Sequence, residues 1–145
     1  MSFLREVPVY DIGTDTWSLQ PLNSGSPAPT HPLAQFCTVV GSTSSGSHHE
    51  IFVYGGWDND NGDPLSDVSI LTVPSFTWVK ADGVERAGAS RQGHVCVTPY
   101  PNQMIAIGGT AKSGLSRSTN RTVDVYNLNE LNWTSVYDPY ILSGL

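Results

Sequence analysis

The chain has 145 residues and a net charge of −6, with 7 lysines and arginines against 13 aspartates and glutamates. Surfaces that bind nucleic acid concentrate positive charge, so this composition argues against a nucleic-acid partner. No apolar run approaches the roughly 20 residues that cross a bilayer, and residues 1–8 lack the apolar core of a signal peptide. We therefore expect no membrane span in this chain, and its composition taken alone suggests a cytosolic protein.

The first predicted elements are two strands within residues 1–22. Apolar side chains at Val7, Val9 and Ile12 follow much of a period of two, which favours β-structure. Trp17 lies on the second of these strands. Because the same apolar offsets recur before two later tryptophans, this segment is predicted to be the C-terminal half of a truncated repeat.

Residues 23–84 are predicted to form a complete repeat of four short strands. The first strand carries Cys37, the second ends in Gly55-Gly56, and the fourth carries Trp78. A polar loop at residues 41–49 separates the first two strands and is longer than the equivalent loop of the next repeat. Insertions confined to loops are typical of repeat scaffolds.

Residues 85–138 repeat this pattern, with Cys96, Gly108-Gly109 and Trp133 at the equivalent places. Residues 139–145 are predicted to be a tail. No stretch of the chain has convincing helical periodicity, so the predicted fold class is all-β. Self-similarity at this spacing indicates a repeat architecture.

The pattern resembles the kelch repeat, in which about 50 residues form one four-stranded blade of a β-propeller. The resemblance rests on two glycine pairs, two tyrosines and three tryptophans, namely Gly55, Gly56, Gly108, Gly109, Tyr10, Tyr126, Trp17, Trp78 and Trp133. The glycines are expected to allow close backbone approach, with a tryptophan filling the adjacent space. The resemblance implies a partial kelch-type β-propeller of about two and a half four-stranded blades. Since a ring needs roughly four to eight blades, the end blades are expected to expose open edges through which the chain can self-associate.

Five segments look like the kelch ectodomains of fungal cell-surface proteins, namely residues 9–12, 35–37, 67–71, 74–78 and 102–105. This resemblance implies that the chain is part of a longer protein that is secreted or held at the cell surface. Asn120 and Asn132 each begin an N-glycosylation sequon, and we expect a glycan on at least one of them. The alternative is a gene-model fragment with no independent function.

Cys37 and Cys96 occupy equivalent places in neighbouring repeats. Equivalent residues on neighbouring inner strands are not expected to reach the roughly 4.4–6.8 Å Cα separation of a disulfide. We therefore predict two buried free thiols, with a disulfide as the less favoured alternative. A zinc site is less favoured still, because the cysteines lack the close spacing of zinc ligands. His94 is predicted to be a hydrogen-bonded structural side chain rather than a contact lining a central channel.

The resemblance implies a non-enzymatic binding module whose specificity comes from loops. The candidate loops follow the glycine pairs, at residues 57–64 and 112–119. The predicted contact residues in these loops are Trp57, Asp58, Asp60 and Lys112, with the tryptophan as an aromatic anchor unless it packs against a neighbouring blade. The expected partner is a protein or a carbohydrate.

No catalytic residue, metal or cofactor is predicted. Residues 58–63 are rich in oxygen ligands, but their glycine does not stand at the sixth position of a calcium loop. Residues 108–114 lack the glycine that precedes Lys-Ser in a phosphate-binding loop. Kelch-like propellers include copper radical oxidases, and a part of such a galactose-oxidase-like propeller is the alternative function. No matching His-His arrangement is present in the sequence.

Overall fold

The computed structural model of the chain describes residues 5–23, 29, 33–42, 45–81, 90–100, 102–111 and 123–139. All regular structure in these residues is β, arranged in antiparallel sheets of two to four strands, which confirms the predicted fold class. None of the described segments forms a helix of the length and apolarity that a membrane crossing requires.

The strands in chain order are β1 (Glu6–Asp11), β2 (Thr16–Pro21), β3 (Leu33–Ala34), β4 (Cys37–Ser42), β5 (His49–Tyr54), β6 (Trp57–Asp58), β7 (Asp63–Pro64), β8 (Val68–Val73), β9 (Thr77–Lys80), β10 (Gln92–Tyr100), β11 (Gln103–Thr110), β12 (Val123–Asn127) and β13 (Asn132–Thr134).

Two four-stranded sheets form the body of the structure. The first has the order β4-β5-β8-β9 and the second has the order β10-β11-β12-β13, with every neighbouring pair antiparallel. In both sheets a cysteine-bearing strand is followed by the strand of the glycine pair and ends with the tryptophan strand. The four-stranded unit read from the repeats is therefore correct, and β1 and β2 pair as a two-stranded sheet before it.

A small three-stranded sheet was not predicted. It has the order β3-β6-β7 and includes the hairpin in which Trp57 pairs with Pro64 and Asp58 pairs with Asp63. Each of its strands has two residues, which is too short to show a period of two in the sequence.

The main core lies between the two four-stranded sheets. Phe52 and Tyr54 of β5 reach it from one side, and Met104 and Ala106 of β11 reach it from the other. In each strand the two residues that enter this core are two positions apart, because alternate side chains of a strand point to the same face. The remaining buried members are Cys37, Val39, Val68, Ile70, Ala81, Tyr126 and Leu128.

A second core joins the first four-stranded sheet to β1 and β2. Val53, Leu71 and Trp78 are buried there, and Val7 and Leu22 pack against them. Because these residues lie on the face opposite the main core, the first four-stranded sheet is covered on both faces, by the second four-stranded sheet on one and by Val7 and Leu22 on the other. This arrangement matches the predicted partial propeller.

The tryptophans at the ends of the three repeats are buried to very different degrees. Trp78 is 2% exposed within the second core, whereas Trp17 is 71% exposed. Trp133 is partly buried, with its ring 4.7 Å from that of Tyr54 in the first four-stranded sheet. Trp78 and Trp133 thus each face the sheet that precedes their own, and no described sheet precedes that of Trp17. Apolar residues are also exposed on the far face of the second four-stranded sheet, namely Val95, Val97, Ile107 and Val123.

Candidate functional site

One glycine of each pair, Gly55 and Gly109, lies in close contact with the short segment of residues 91–94. A Cβ at Gly55 would lie 2.6 Å from the carbonyl oxygen of Arg91 and 3.0 Å from Cε1 of His94. A Cβ at Gly109 would lie 2.6 Å from the carbonyl oxygen of Gln92, and both glycines have positive φ angles. The predicted close backbone approach is confirmed at Gly55 and Gly109, whose nearest groups belong to residues 91–94 and not to a tryptophan, whereas a Cβ at Gly108 would meet nothing within 4 Å.

Arg91 ties this segment to both four-stranded sheets. Its carbonyl oxygen accepts a 2.8 Å hydrogen bond from the Gly56 N–H, beside the first sheet. Its guanidinium donates to the Gly108 carbonyl oxygen at 2.9 Å and forms an ion pair with the carboxylate of Asp124, both in the second sheet. Since Arg91 and Asp124 are both buried, the pair fixes the junction, and leaving either charge alone would cost about 3–5 kcal/mol.

The sequence analysis did not single out Arg91 or Asp124. Arg91 lies three residues before His94, for which a structural role was predicted. The signal that could have identified Arg91 was its position directly before a strand, because a charged residue there is unusual in a chain with only 14% charged residues.

His94 is buried between the sheets, at 5% exposure. The pKa of His94 is lowered to about 4, mainly because burial disfavours the charged ring and also because Arg91 is positively charged, while a hydrogen bond with the Tyr54 backbone acts in the opposite direction. The ring lies edge-on to that of Tyr54, with a centroid separation of 4.8 Å. His94 is therefore buried at the junction, and its role as a hydrogen-bonded structural side chain stays a prediction.

Cys37 and Cys96 form a disulfide, so the prediction of two free thiols is wrong. Their Cα atoms are 5.5 Å apart, within the range that a disulfide requires. The reason is the stacking of the sheets: β4 and β10 are the first strands of the two four-stranded sheets, and they lie against each other. The disulfide joins the two blades across the main core. It also removes both thiols from the Cys–Tyr cross-link that the copper-oxidase alternative would need.

The hairpin of β6 and β7 holds three of the four predicted contact residues. Trp57 is partly buried and pairs with Ala34, while Asp60 is exposed at the tip. Asp58 is different, because it is 2% exposed and its carboxylate accepts hydrogen bonds from the N–H groups of Asp60 and Asn61 at 2.9 and 3.3 Å. Asp58 therefore shapes the turn and does not present a surface contact, which corrects its predicted role.

The other predicted residues are placed as follows. Asn132 is exposed, and its side-chain amide donates to the carboxylate of Glu130 at 3.2 Å. Tyr10 is 42% exposed and contacts the ring of Trp17 with a centroid separation of 5.0 Å. Lys112 and Asn120 lie outside the described residues, as do the whole predicted loop at residues 112–119 and all but the first residue of the tail.

A small cavity lies beside Gly55. It measures about 40 Å³ and is lined by Leu33, Leu65, Asp67 and Ser69, among others. Small-molecule sites typically occupy about 300–1,000 Å³, so this cavity is too small for a typical ligand. The surface of the hairpin and the junction at residues 91–94 are the better candidate sites.

Comparison with known proteins supports the kelch resemblance. No protein-family model matches the chain. A kelch repeat-containing protein of Arthroderma benhamiae is 29% identical over 140 residues, which is 92% of this chain and 20% of the relative. An F-box/kelch-repeat protein of Arabidopsis thaliana is 24% identical over 88% of this chain and 28% of the relative. The chain is therefore similar to kelch-repeat proteins along most of its length, and it spans well under half of either relative.

An enzyme is also similar to this chain. The N-(sulfonatooxy)prop-2-enimidothioate sulfolyase of Thlaspi arvense is 27% identical over 93% of this chain and 37% of the relative. The prediction of a non-enzymatic chain is corrected by this finding, because one scaffold carries both binding and catalytic proteins. The fold and the repeats give no reason to exclude catalysis.

Proposed function

We propose that this chain is an interaction module of a kelch-like propeller, and that it binds a protein through the hairpin of β6 and β7. The similarity to kelch-repeat proteins supports an interaction role. The hairpin carries the proposal, because it presents a partly exposed aromatic ring, Trp57, beside the exposed tip residues Asn59, Asp60 and Asn61. Aromatic side chains with a polar surround are common anchors of protein interfaces.

The hairpin is held in one shape before any partner binds. The carboxylate of Asp58 accepts a 2.6 Å hydrogen bond from the side-chain amide of Asn61, and the Gly62 N–H donates to the Asp58 carbonyl oxygen at 2.8 Å. The Trp57 ring packs near Gly62, with its Cζ2 atom 3.8 Å from the position that a Cβ would occupy. Such preorganisation reduces the entropy lost on binding.

Charge favours a partner with a basic surface. The hairpin carries Asp60 and Asp63 around its tip, and the whole chain has a net charge of −6. Opposite charges at an interface speed association and improve selectivity. A protein surface with positive charge is therefore the favoured partner, and a carbohydrate is the alternative.

The test is a comparative capture experiment with two variants of the full chain. Trp57→Ala removes the proposed anchor, and His48→Ala changes an exposed side chain before β5, at the opposite end of that strand. The wild type and His48→Ala should capture the same proteins with similar affinity. Trp57→Ala should bind these proteins at least about 30-fold more weakly, which corresponds to a hot spot of about 2 kcal/mol. Equal affinity for the three chains would remove the hairpin from the interface, and binding to a glycan array instead would favour carbohydrate.

We also propose that the chain belongs to a longer protein that is secreted or displayed at the cell surface. The disulfide supports this, because disulfides persist mainly in oxidising compartments. The exposed side chain of Asn132 is sterically open to a glycan. An N-glycosidase should increase the mobility of the full-length protein, and Asn→Gln changes at positions 120 and 132 should abolish that shift. A full-length protein without glycan that fractionates with cytosol would contradict the proposal.

A further inference from the structure

The far face of the second four-stranded sheet exposes a row of apolar side chains. Val95 of β10 stands directly opposite Ile107 of β11, and Ile107 stands directly opposite Val123 of β12. Residues directly opposite one another in a sheet point to the same face, so these three side chains form one continuous strip. They are between 42% and 61% exposed, and we call them the end row.

The first four-stranded sheet has an equivalent row, which is buried. Cys37, Tyr54 and Val68 stand opposite one another on β4, β5 and β8, and none of them is more than 7% exposed. The two rows are equivalent because Tyr54 and Ile107 each come directly before a glycine pair. The end row is thus a sheet face of the kind that this fold covers where another sheet follows.

The buried row shows what kind of surface covers it. The ring of Trp133, from the second four-stranded sheet, lies 4.7 Å from the ring of Tyr54. Trp133 is itself paired with Tyr126, and their ring centroids are 4.9 Å apart. An aromatic pair on the tryptophan hairpin of the following sheet therefore covers part of this row.

The chain exposes another aromatic pair of the same kind. Tyr10 and Trp17 stand directly opposite each other on β1 and β2, with ring centroids 5.0 Å apart. They occupy the same places in their hairpin as Tyr126 and Trp133. Tyr10 is 42% exposed and Trp17 is 71% exposed. The two ends of the chain thus carry the two complementary halves of an interface that the fold already contains once.

We propose that the end row binds the Tyr10–Trp17 pair of a second copy of this chain, so that two copies associate head to tail. Trp17 of one copy lies on Ile107 of the other, in the way that Trp133 lies on Tyr54 within one copy. Both surfaces are apolar, so their removal from water drives the association. The contact does not use Trp57, so it can be tested separately from the proposed binding through the hairpin of β6 and β7.

The number of sheets determines how many copies assemble. A head-to-tail contact closes into a ring if the rotation between copies allows it, and otherwise it extends into a filament. Each copy brings three sheets that follow the repeat, namely β1-β2 and the two four-stranded sheets. Propellers close with roughly four to eight blades, so two copies supply a suitable number and a third copy would exceed it. The assembly is therefore a closed dimer.

The first test is the mass of the oxidised chain, measured by sedimentation equilibrium over a wide range of protein concentrations. The mass should rise from 15.6 kDa and level off at twice that value. A chain that stays monomeric would overturn the proposal and leave both faces to other blades of a longer protein. A mass that keeps rising without a plateau would also overturn it, because the contact would then not close.

Two charge variants distinguish a head-to-tail contact from a contact between like surfaces. Trp17→Lys changes one side and Ile107→Asp changes the other. Each change alone should raise the dissociation constant of the dimer at least about 30-fold, as the loss of a hot-spot residue does. The matched control is Val40→Asp, which changes an exposed valine of the first four-stranded sheet and should dimerise as the wild type does. Loss of the dimer in only one of the two charge variants would reject the proposal, because like surfaces would then meet.

Mixing Trp17→Lys with Ile107→Asp tests the pairing itself. In the mixed dimer one interface keeps both native residues, and the other brings the introduced lysine against the introduced aspartate. The mixture should therefore form a dimer at concentrations where neither variant does alone. Circular dichroism checks that both variants are folded, and Tyr10→Lys or Val123→Asp, from the same two surfaces, replaces a variant that is not. Folded variants whose mixture stays monomeric would overturn the proposal.

Discussion

Replacing Trp78 by alanine should be far more costly than the same change at the equivalent position of the first repeat, Trp17. Trp78 is 2% exposed in the core between the first two sheets, whereas Trp17 is 71% exposed. The two residues pair with Leu71 and Tyr10 at matching places in their hairpins. Their sequence context is thus alike, and their burial differs.

The magnitude follows from the covered area. A buried tryptophan removes about 150–250 Å² from water, which at about 25 cal/mol per Å² is worth roughly 4–6 kcal/mol as an upper bound. With partial collapse of the cavity, Trp78→Ala should lower the free energy of unfolding by about 3–5 kcal/mol. Trp17→Ala, with less than a third of its surface covered, should cost roughly 1–2 kcal/mol at most.

Urea unfolding followed by circular dichroism, at the lowest usable protein concentration, measures both costs. Trp78→Phe serves as a milder variant if Trp78→Ala does not fold. Similar losses for Trp78→Ala and Trp17→Ala would refute the burial of Trp78 in the second core, because that burial is what distinguishes the two residues.

Three further predictions concern the blade junction. Gly55→Ala should lower the free energy of unfolding by about 1–3 kcal/mol more than Gly108→Ala, because both positions have positive φ but only a Cβ at Gly55 would meet backbone atoms. Equal losses in urea unfolding would contradict the close approach at Gly55. Replacing Cys37 and Cys96 together by alanine should lower the free energy of unfolding by roughly 4 kcal/mol, because their disulfide closes a loop with a sequence separation of 59. An unchanged unfolding midpoint under oxidising conditions would refute the crosslink. In the oxidised protein, acidification from pH 6.5 towards pH 4 should destabilise the wild type more than His94→Gln by up to roughly 3 kcal/mol. The reason is that the pKa of His94 is lowered to about 4 in the folded chain, so between pH 6.5 and pH 4 the imidazole is protonated mainly in the unfolded chain. If urea unfolding shows that both proteins lose the same stability on acidification, His94 is not buried as a neutral ring.

Much of the fold could be predicted because the long strands carry a period of two and recur in register. The recurring apolar runs at residues 51–54 and 104–107, each leading into a glycine pair, together with the tryptophan that follows each of them, were sufficient to define the four-stranded unit. The strands of β3, β6 and β7 have two residues each, so they left no periodic signal and Asp58 was assigned to an open loop.

The blade junction could not be predicted in the same way. The disulfide depends on the distance between first strands of stacked sheets, and sequence position alone did not show that Cys37 and Cys96 come within 5.5 Å between Cα atoms. The burial of His94 depends on which groups pack around the ring, which only the assembled junction determines. The role of Trp57 as a contact stays a prediction, since burial alone does not identify a partner.

The open faces at both ends of the stack are tested most directly by sedimentation equilibrium of the oxidised chain. One face exposes Trp17 and Leu19 and the other exposes Val95 and Ile107, so a partial propeller should associate through them. The apparent mass should rise with protein concentration, and Trp17→Ser should weaken this rise. A strictly monomeric chain of 15.6 kDa at all concentrations, with a single cooperative unfolding transition, would contradict the partial-propeller account.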